Sequence, residues 1–117
     1  MIKKKIFCFD LDNVICSTTK NYYKKSKPID ENIKTINKLY EKGHTIKIFT
    51  SRYMGRSNEN TKKAKQLGHS LTVKQLKSWN VKYHKLIMGK PSYDLFIDDK
   101  NLGFKKNWKN YFKNRYF

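Results

Sequence analysis

Cysteine, proline, glycine, arginine and acidic residues are all scarce in this chain, and each shortage closes off a class of protein. With two cysteines in 117 residues, no disulfide framework is available, and the spacing of Cys8 and Cys16 fits no zinc-binding pattern. Both read as small apolar fillers in a cytosolic protein. Two prolines and five glycines leave no Pro-rich or Gly/Ser-rich linker, so residues 1–117 read as a single domain with one modest core. No apolar run is long enough to span a bilayer. The opening "MIKKKIFCF" has the basic start of a signal peptide, but Asp10 and Asp12 cut its apolar stretch well short. The expected setting is therefore soluble and cytoplasmic. Nine acids face 27 Lys and Arg, a formal net charge of +18, which attracts anionic ligands. Only Arg52, Arg56 and Arg115 are arginines, whereas base readout and bidentate phosphate recognition favour arginine. Lysines are spread along the whole chain among Asn, Ile, Tyr and Phe, a mixture that compositional drift produces without a nucleic-acid partner.

What is present alternates between short apolar runs and helical periodicity. Residues 2–9 read as a strand and residues 17–28, "STTKNYYKKSKP", as a loop or small flap. Pro28 and Asp30 suit a helix start. Ile29, Ile33, Ile36 and Tyr40 recur at helical spacing, and Gly43 stops the helix. "TIKIFT" (45–50) is a second strand. A helical region follows the 51–57 loop, read in two pieces around Gly68, with Leu71, Leu76 and Trp79 as its stripe. "KLIMG" (85–89) and "YDLFIDD" (93–99) read as two further strands. Phe104, Trp108, Tyr111, Phe112 and Tyr116 suggest an aromatic-faced C-terminal helix that packs on the core. Short apolar strands alternating with helices predict an α/β fold with a mainly parallel sheet covered on both faces.

In such sheets ligands sit beyond the carboxyl ends of the strands. Asp10 and Asp12 close the first predicted strand, Thr50 the second, and Asp98 and Asp99 the last. Lys90 stands in "GKP" shortly before that last strand. A pair of aspartates at a strand end is by itself an ordinary turn former, and "FIDDK" alone also fits a strand running into an Asx turn. It is the joint occurrence on one sheet edge that points to chemistry. Carboxylates converging there with one lysine repel one another unless a divalent cation lies among them, and hard oxygen ligands favour Mg²⁺.

With these residues in place, the sequence resembles the haloacid dehalogenase (HAD) superfamily, whose four motifs occur here in order. "IFCFDLDNV" matches the first, "IKIFT" the second, Lys90 the third and "LFIDD" the fourth. The combination "FDLDNVIC…TSR…GKP…FIDDK" further resembles small HAD phosphatases encoded with capsule and surface-polysaccharide biosynthesis genes. The resemblance implies a Rossmann-like, HAD-type three-layer sandwich. It casts Asp10 as the nucleophile that forms an aspartyl-phosphate. Asp10, the carbonyl of Asp12 and Asp98 would bind Mg²⁺, with Asp99 outside them. Asp12 would be the general acid and base, Thr50 a hydrogen-bond donor to the phosphoryl group, and Lys90 its charge-neutralising partner. Asp rather than Thr at position 12 suits a phosphatase or phosphomutase more than a pump.

Between Val14 and Thr50, and again between Thr50 and Lys90, the chain has no room for a cap domain, which favours a phosphatase over a mutase. An open site of this kind takes a large substrate or is closed by another subunit, so a homo-oligomer is one expectation. Candidate substrate contacts are Tyr22, Tyr23 and Lys25 in the flap, and Ser51, Arg52 and Asn58 after the second strand. His44, His69 and His84 receive no role. The expected function is Mg²⁺-dependent hydrolysis of a small phosphomonoester, a sugar or polyol phosphate. The rivals are a nucleotide or 3′ nucleic-acid-end phosphatase, favoured by the charge, and a non-catalytic basic binding module on the same fold.

Overall fold

The computed structural model describes residues 3–104, 107–113 and 115–117. Its central element is a three-stranded parallel sheet of β1 (Ile6–Phe9), β4 (Thr45–Thr50) and β5 (Lys85–Met88), in the order β1-β4-β5. Phe9 pairs with Ile48, and Ile48 in turn with Leu86. Residue 2, the start of the expected first strand, lies outside the described residues. A two-stranded antiparallel ribbon, β2 (Cys16–Ser17) with β3 (Lys27–Pro28), encloses a short 3₁₀ turn at Tyr23–Lys25. This ribbon is the expected flap.

The crossovers are helices, as parallel strands require. Helix α1 (Asp30–Glu41) joins the ribbon to β4 and is followed by Gly43. It carries acids in its first turn and Lys38 in its last, both favourable to the helix dipole. Helix α2 (Thr61–Ser78) precedes β5, and its cap is Asn60, whose side chain accepts from Lys63 N. The helix is continuous through Gly68, contrary to the two-piece expectation. Gly68 is there for packing. A Cβ at that position would stand 2.3 Å from Cδ2 of Tyr53, so only glycine lets the ring lie against the helix.

Strand alternation divides the sheet into two unlike faces. Phe9, Ile46, Ile48 and Met88 are buried on one, and Ile33, Ile36 and Leu39 of α1 and Leu76 of α2 close over it. Trp108 joins the same core, as does Phe112 from α3 (Lys109–Lys113). Each fully buried aliphatic side chain here contributes about 1.5–3 kcal/mol. The other face carries Ile6, Cys8, Lys47, Phe49, Lys85 and Ile87, none of them buried. Among the described residues, the sheet is therefore covered on one face, not the expected two. Cys8 is exposed, so only Cys16 serves as a buried filler. The aromatic C-terminal stripe is likewise divided, with Trp108 and Phe112 buried and Phe104 exposed.

The largest departure is at 93–99. No strand forms there, and every residue from 91 to 104 is exposed, including Leu95 and Ile97. The segment ends in an Asx turn, with Lys100 N donating to Asp98 Oδ1 at 3.2 Å and Asn101 N to Asp98 O at 3.4 Å. The apolar pattern was real, but pattern supplies no partner edge.

His44 also has a structural task. It is buried beside β1, edge-on to Phe7 and Tyr116, and its Nδ1 accepts from Lys5 N at 3.0 Å. Burial, aided by the charge of Lys4 and opposed by the Tyr116 backbone, lowers its pKa below the ordinary 6.5. A depressed histidine favours folding while both states are neutral. Its contribution is complete above the unfolded-state value and is lost as pH falls below it. The melting temperature of the wild type should therefore fall from pH 7 to pH 5. His44→Gln, which keeps an acceptor without titrating, should flatten that slope; an unchanged slope would remove His44 from the account.

Candidate active site

Three polar side chains stand at the carboxyl ends of the three parallel strands. Asp10 follows β1, Thr50 ends β4, and Lys90 comes two residues after β5. Lys90 N donates to Thr50 O at 3.1 Å, which extends the β4–β5 ladder and seats the lysine beside the threonine. Gly89 makes the approach possible. It has φ +99°, and a Cβ there would stand 2.5 Å from Thr61 Cγ2. The buried Lys90 side chain then brings Nζ to 3.7 Å from Asp10 Oδ2, with the rings of Tyr93 and Phe96 about its ammonium at 5.2 and 5.1 Å.

Asp10 is half-buried, and Oδ1 accepts from Leu11 N at 2.8 Å. Desolvation raises its carboxyl above the ordinary carboxylate range. Lys90 and the Leu11 N–H oppose that shift, while Asp12 adds a smaller push upward. Beyond Asp10 the chain folds tightly on itself. The amides of Val14, Ile15 and Cys16 all donate to Leu11 O, and Asn13 takes a left-handed φ of 67° that asparagine tolerates. This turn aims Asp12 away from the strand axis toward the flap.

There Asp12 meets Arg52. The arginine is fully buried, and its Nη2 lies 2.9 Å from Asp12 Oδ1. Thr18 Oγ1 donates to the same oxygen at 2.6 Å. Arg52 was expected at the surface as a substrate contact; its guanidinium is instead enclosed by protein. The loop that carries it holds Tyr53 at φ 66°, an unfavourable conformation for an aromatic residue. The Tyr53 ring, wedged on Gly68, packs against Tyr23 at 4.8 Å and beneath the guanidinium of Arg56 at 4.6 Å. Arg56 also donates to Asn21 O at 2.9 Å, binding loop to flap.

The remaining expected contacts separate. Tyr22 and Lys25 do come together, lining a cleft of about 310 Å³ with Ser17, Thr19 and Lys27 on the flap. Tyr23 is buried against Arg52 and does not share that cleft. Ser51 is half-buried, and Asn58 is exposed with φ 51°. Thr18, Ser26, Thr72 and Gln75 were missed. Thr72 and Gln75 had a visible signal: polar residues at core positions of a helix, beside Ala64, Gly68 and Leu76. A buried polar side chain needs a partner, and here the partner is Arg52.

A divalent cation fits only part of the expected donor set. Asp10 offers a half-exposed carboxylate of the hard-oxygen type that Mg²⁺ prefers. Asp98 and Asp99 lie on the exposed Asx turn, and among the described residues no three of His, Cys, Asp and Glu gather as ligands. The Asp98 carboxyl is lowered by the Lys100 N–H and by Asp99, so it remains an anionic donor where it stands.

These elements define a small α/β protein with a mainly parallel sheet and polar residues along its carboxyl edge. The fold is shared with a crystal structure of a target protein from Vibrio cholerae. The two match at a TM-score of 0.78 and 21% identity, over 93% of this chain and 95% of the other. No protein-family model and no curated protein matches the sequence. Among the described residues, no helix is long and apolar enough to cross a membrane.

Proposed function

We propose that the protein is a capless phosphomonoester hydrolase of the HAD type, Rossmann-like in its sheet and acting on a small sugar or polyol phosphate. The observation that supports this reading most is the placement of Asp10, Thr50 and Lys90 at three adjacent strand ends, with Lys90 Nζ 3.7 Å from Asp10 Oδ2. Asp10 Oδ2 attacks phosphorus in line and becomes the aspartyl-phosphate. Lys90 offsets the negative charge that carboxylate and phosphate bring together. Thr50 Oγ1 accepts from Arg52 N at 3.1 Å, which leaves its own hydrogen to donate to a phosphoryl oxygen. Asp12 protonates the departing alkoxide and later takes a proton from the attacking water. Mg²⁺, the proposed cofactor, supplies further charge neutralisation. Asp10 and the Asp12 carbonyl are the donors the strand end would offer it; Asp98 and Asp99, which complete the set in the resemblance, stand outside it on the exposed turn.

The flap cleft, with two hydroxyls, two lysines and Tyr22, suits a polyhydroxylated anion better than a stacked base. It offers one exposed aromatic ring, whereas single-strand binding relies on several. A role in surface-polysaccharide synthesis, in the cytoplasm, follows from the same reading. The +18 charge favours a second one, hydrolysis at nucleic-acid 3′ ends.

One set of assays tests both. With Mg²⁺ the protein should hydrolyse p-nitrophenyl phosphate, EDTA should abolish turnover, and added Mg²⁺ should restore it. At physiological salt, kcat/KM should be at least about tenfold higher on sugar phosphates than on a 3′-phosphorylated oligonucleotide, whose binding should weaken steeply with salt. Preference for the oligonucleotide would replace the sugar reading by the nucleic-acid one. Full activity in EDTA would remove the metal, and absence of any turnover would leave a binding module.

A further inference from the structure

Arg52 has every N–H committed inside the protein. Nε donates to both carboxylate oxygens of Asp12, at 3.1 Å to Oδ1 and 3.0 Å to Oδ2. Nη2 donates to Asp12 Oδ1 at 2.9 Å, to Ser26 Oγ at 3.3 Å and to Cys16 Sγ at 3.6 Å. Nη1 is anchored on α2, by Gln75 Oε1 at 2.5 Å and Thr72 Oγ1 at 3.2 Å. Both anchors are themselves fixed: Thr72 Oγ1 donates to Gly68 O at 2.8 Å, and Gln75 Nε2 to Tyr23 O at 2.6 Å. A side chain so placed, 0% exposed, has no donor left for a substrate.

We infer that Arg52 is a positioning residue, which clamps the Asp12 carboxylate between α2 and the flap and leaves Oδ2 as the oxygen that exchanges protons. The two oxygens are held unequally. Oδ1 accepts from Arg52 Nε and Nη2, from Thr18 Oγ1 at 2.6 Å and from Cys16 Sγ at 3.5 Å, so its lone pairs are occupied. Oδ2 accepts from Arg52 Nε alone. Thr18 Oγ1 also lies 2.6 Å from Ser26 Oγ, so Asp12, Thr18, Ser26 and Arg52 close a ring that makes the flap part of the clamp. A planar guanidinium can hold a carboxylate in this two-point manner, and an ammonium cannot. A misplaced proton donor is costly in proportion to how much protonation the leaving group requires.

The inference rests on the phosphatase reading, and the test separates the two. Arg52→Lys, with its charge kept and its fork removed, is assayed with Mg²⁺ on p-nitrophenyl phosphate and on glycerol 2-phosphate, alone and in the Asp12→Asn background. Expected is a fall in kcat of about 10- to 100-fold on the alkyl ester and less than about 5-fold on the aryl ester, with KM within about twofold. In the Asp12→Asn background, the same change should shift the alkyl-to-aryl ratio by less than about twofold, because Arg52 acts through Asp12. A rise in KM with kcat preserved would make Arg52 a substrate contact. Equal losses on both esters, or an undiminished effect without Asp12, would reduce it to scaffold. Should Arg52→Lys fail to fold, Thr72→Val loosens the Nη1 anchor alone; it should shift the ratio in the same direction by about threefold, and no shift overturns the inference. Wild-type protein without turnover on either ester removes the phosphatase reading and this inference with it. Wild-type turnover with an unmoved ratio removes the inference alone.

Discussion

Asp10→Asn should lower turnover of p-nitrophenyl phosphate by on the order of 10³-fold or more, because the amide cannot form the aspartyl-phosphate. The variant should nonetheless fold. Its expected thermal behaviour follows from the electrostatics of the strand end. Desolvation raises the Asp10 carboxyl above its ordinary range despite Lys90, so the folded, metal-free chain disfavours the ionised form. The contribution to stability is then complete below the unfolded-state pKa and declines as pH rises through the folded one. At pH 7 in EDTA, Asp10→Asn should melt at or above the wild-type temperature. Calorimetry and steady-state kinetics on the same preparation check both halves. A folded variant that still turns over would exclude Asp10 as nucleophile, and a lower melting temperature would show that the pair with Lys90 outweighs desolvation.

Asp12→Asn should separate substrates by leaving group. Loss of a general acid costs about 10²–10⁴-fold where the leaving oxygen needs a proton, so glycerol 2-phosphate hydrolysis should fall within that range. p-Nitrophenolate leaves without such help, and its ester should lose about tenfold or less. The fold responds as well, because Arg52 is fully buried and Asp12 is its counter-charge. Asparagine keeps one oxygen acceptor for the guanidinium. The destabilisation should therefore stay below the roughly 3–5 kcal/mol of a buried charge stripped of its partner. Since both esters are assayed on one preparation, partial unfolding cancels from their ratio. Equal losses on the two would contradict the acid role and point to a displaced turn.

Much of the framework was legible in the chain. Period-two burial in "TIKIFT" and helical spacing over Ile33 and Ile36 are local consequences of backbone geometry, and β4 and α1 formed where they were expected. The flap was readable as well, from the polar composition of 17–28 around two tyrosines, and its ends pair as Cys16 with Pro28 and Ser17 with Lys27. Asp10, Thr50 and Lys90 were legible only as a group, because each alone is ordinary and it is their joint occurrence at the ends of parallel strands that singles them out.

Arg52 shows where that reasoning stops. Standing two residues after Thr50, it had the same local signature as a surface contact. What made it interior was a set of partners remote in sequence: Asp12 from 40 residues before, and Thr72 and Gln75 from 20 and 23 residues after. Gly68 likewise reads in the sequence as a break in a helix, because its packing reason, the Tyr53 ring, lies in another element.

Residue order alone established the sheet strands β1, β4 and β5, the helical segments α1 and α2 and the polar residues at those strand ends, since each follows from periodicity or from the cost of burying charge. Tertiary structure decided which face of the sheet is covered and that Asp12 is clamped by Arg52. It also left Leu95 and Ile97 exposed and placed Asp98 and Asp99 in a turn outside the sheet. The physical reason is common to all of these. A hydrophobic pattern states what a segment would gain from a partner. Whether one exists is settled by long-range packing, and for 93–99 no strand of the described structure pairs with the segment.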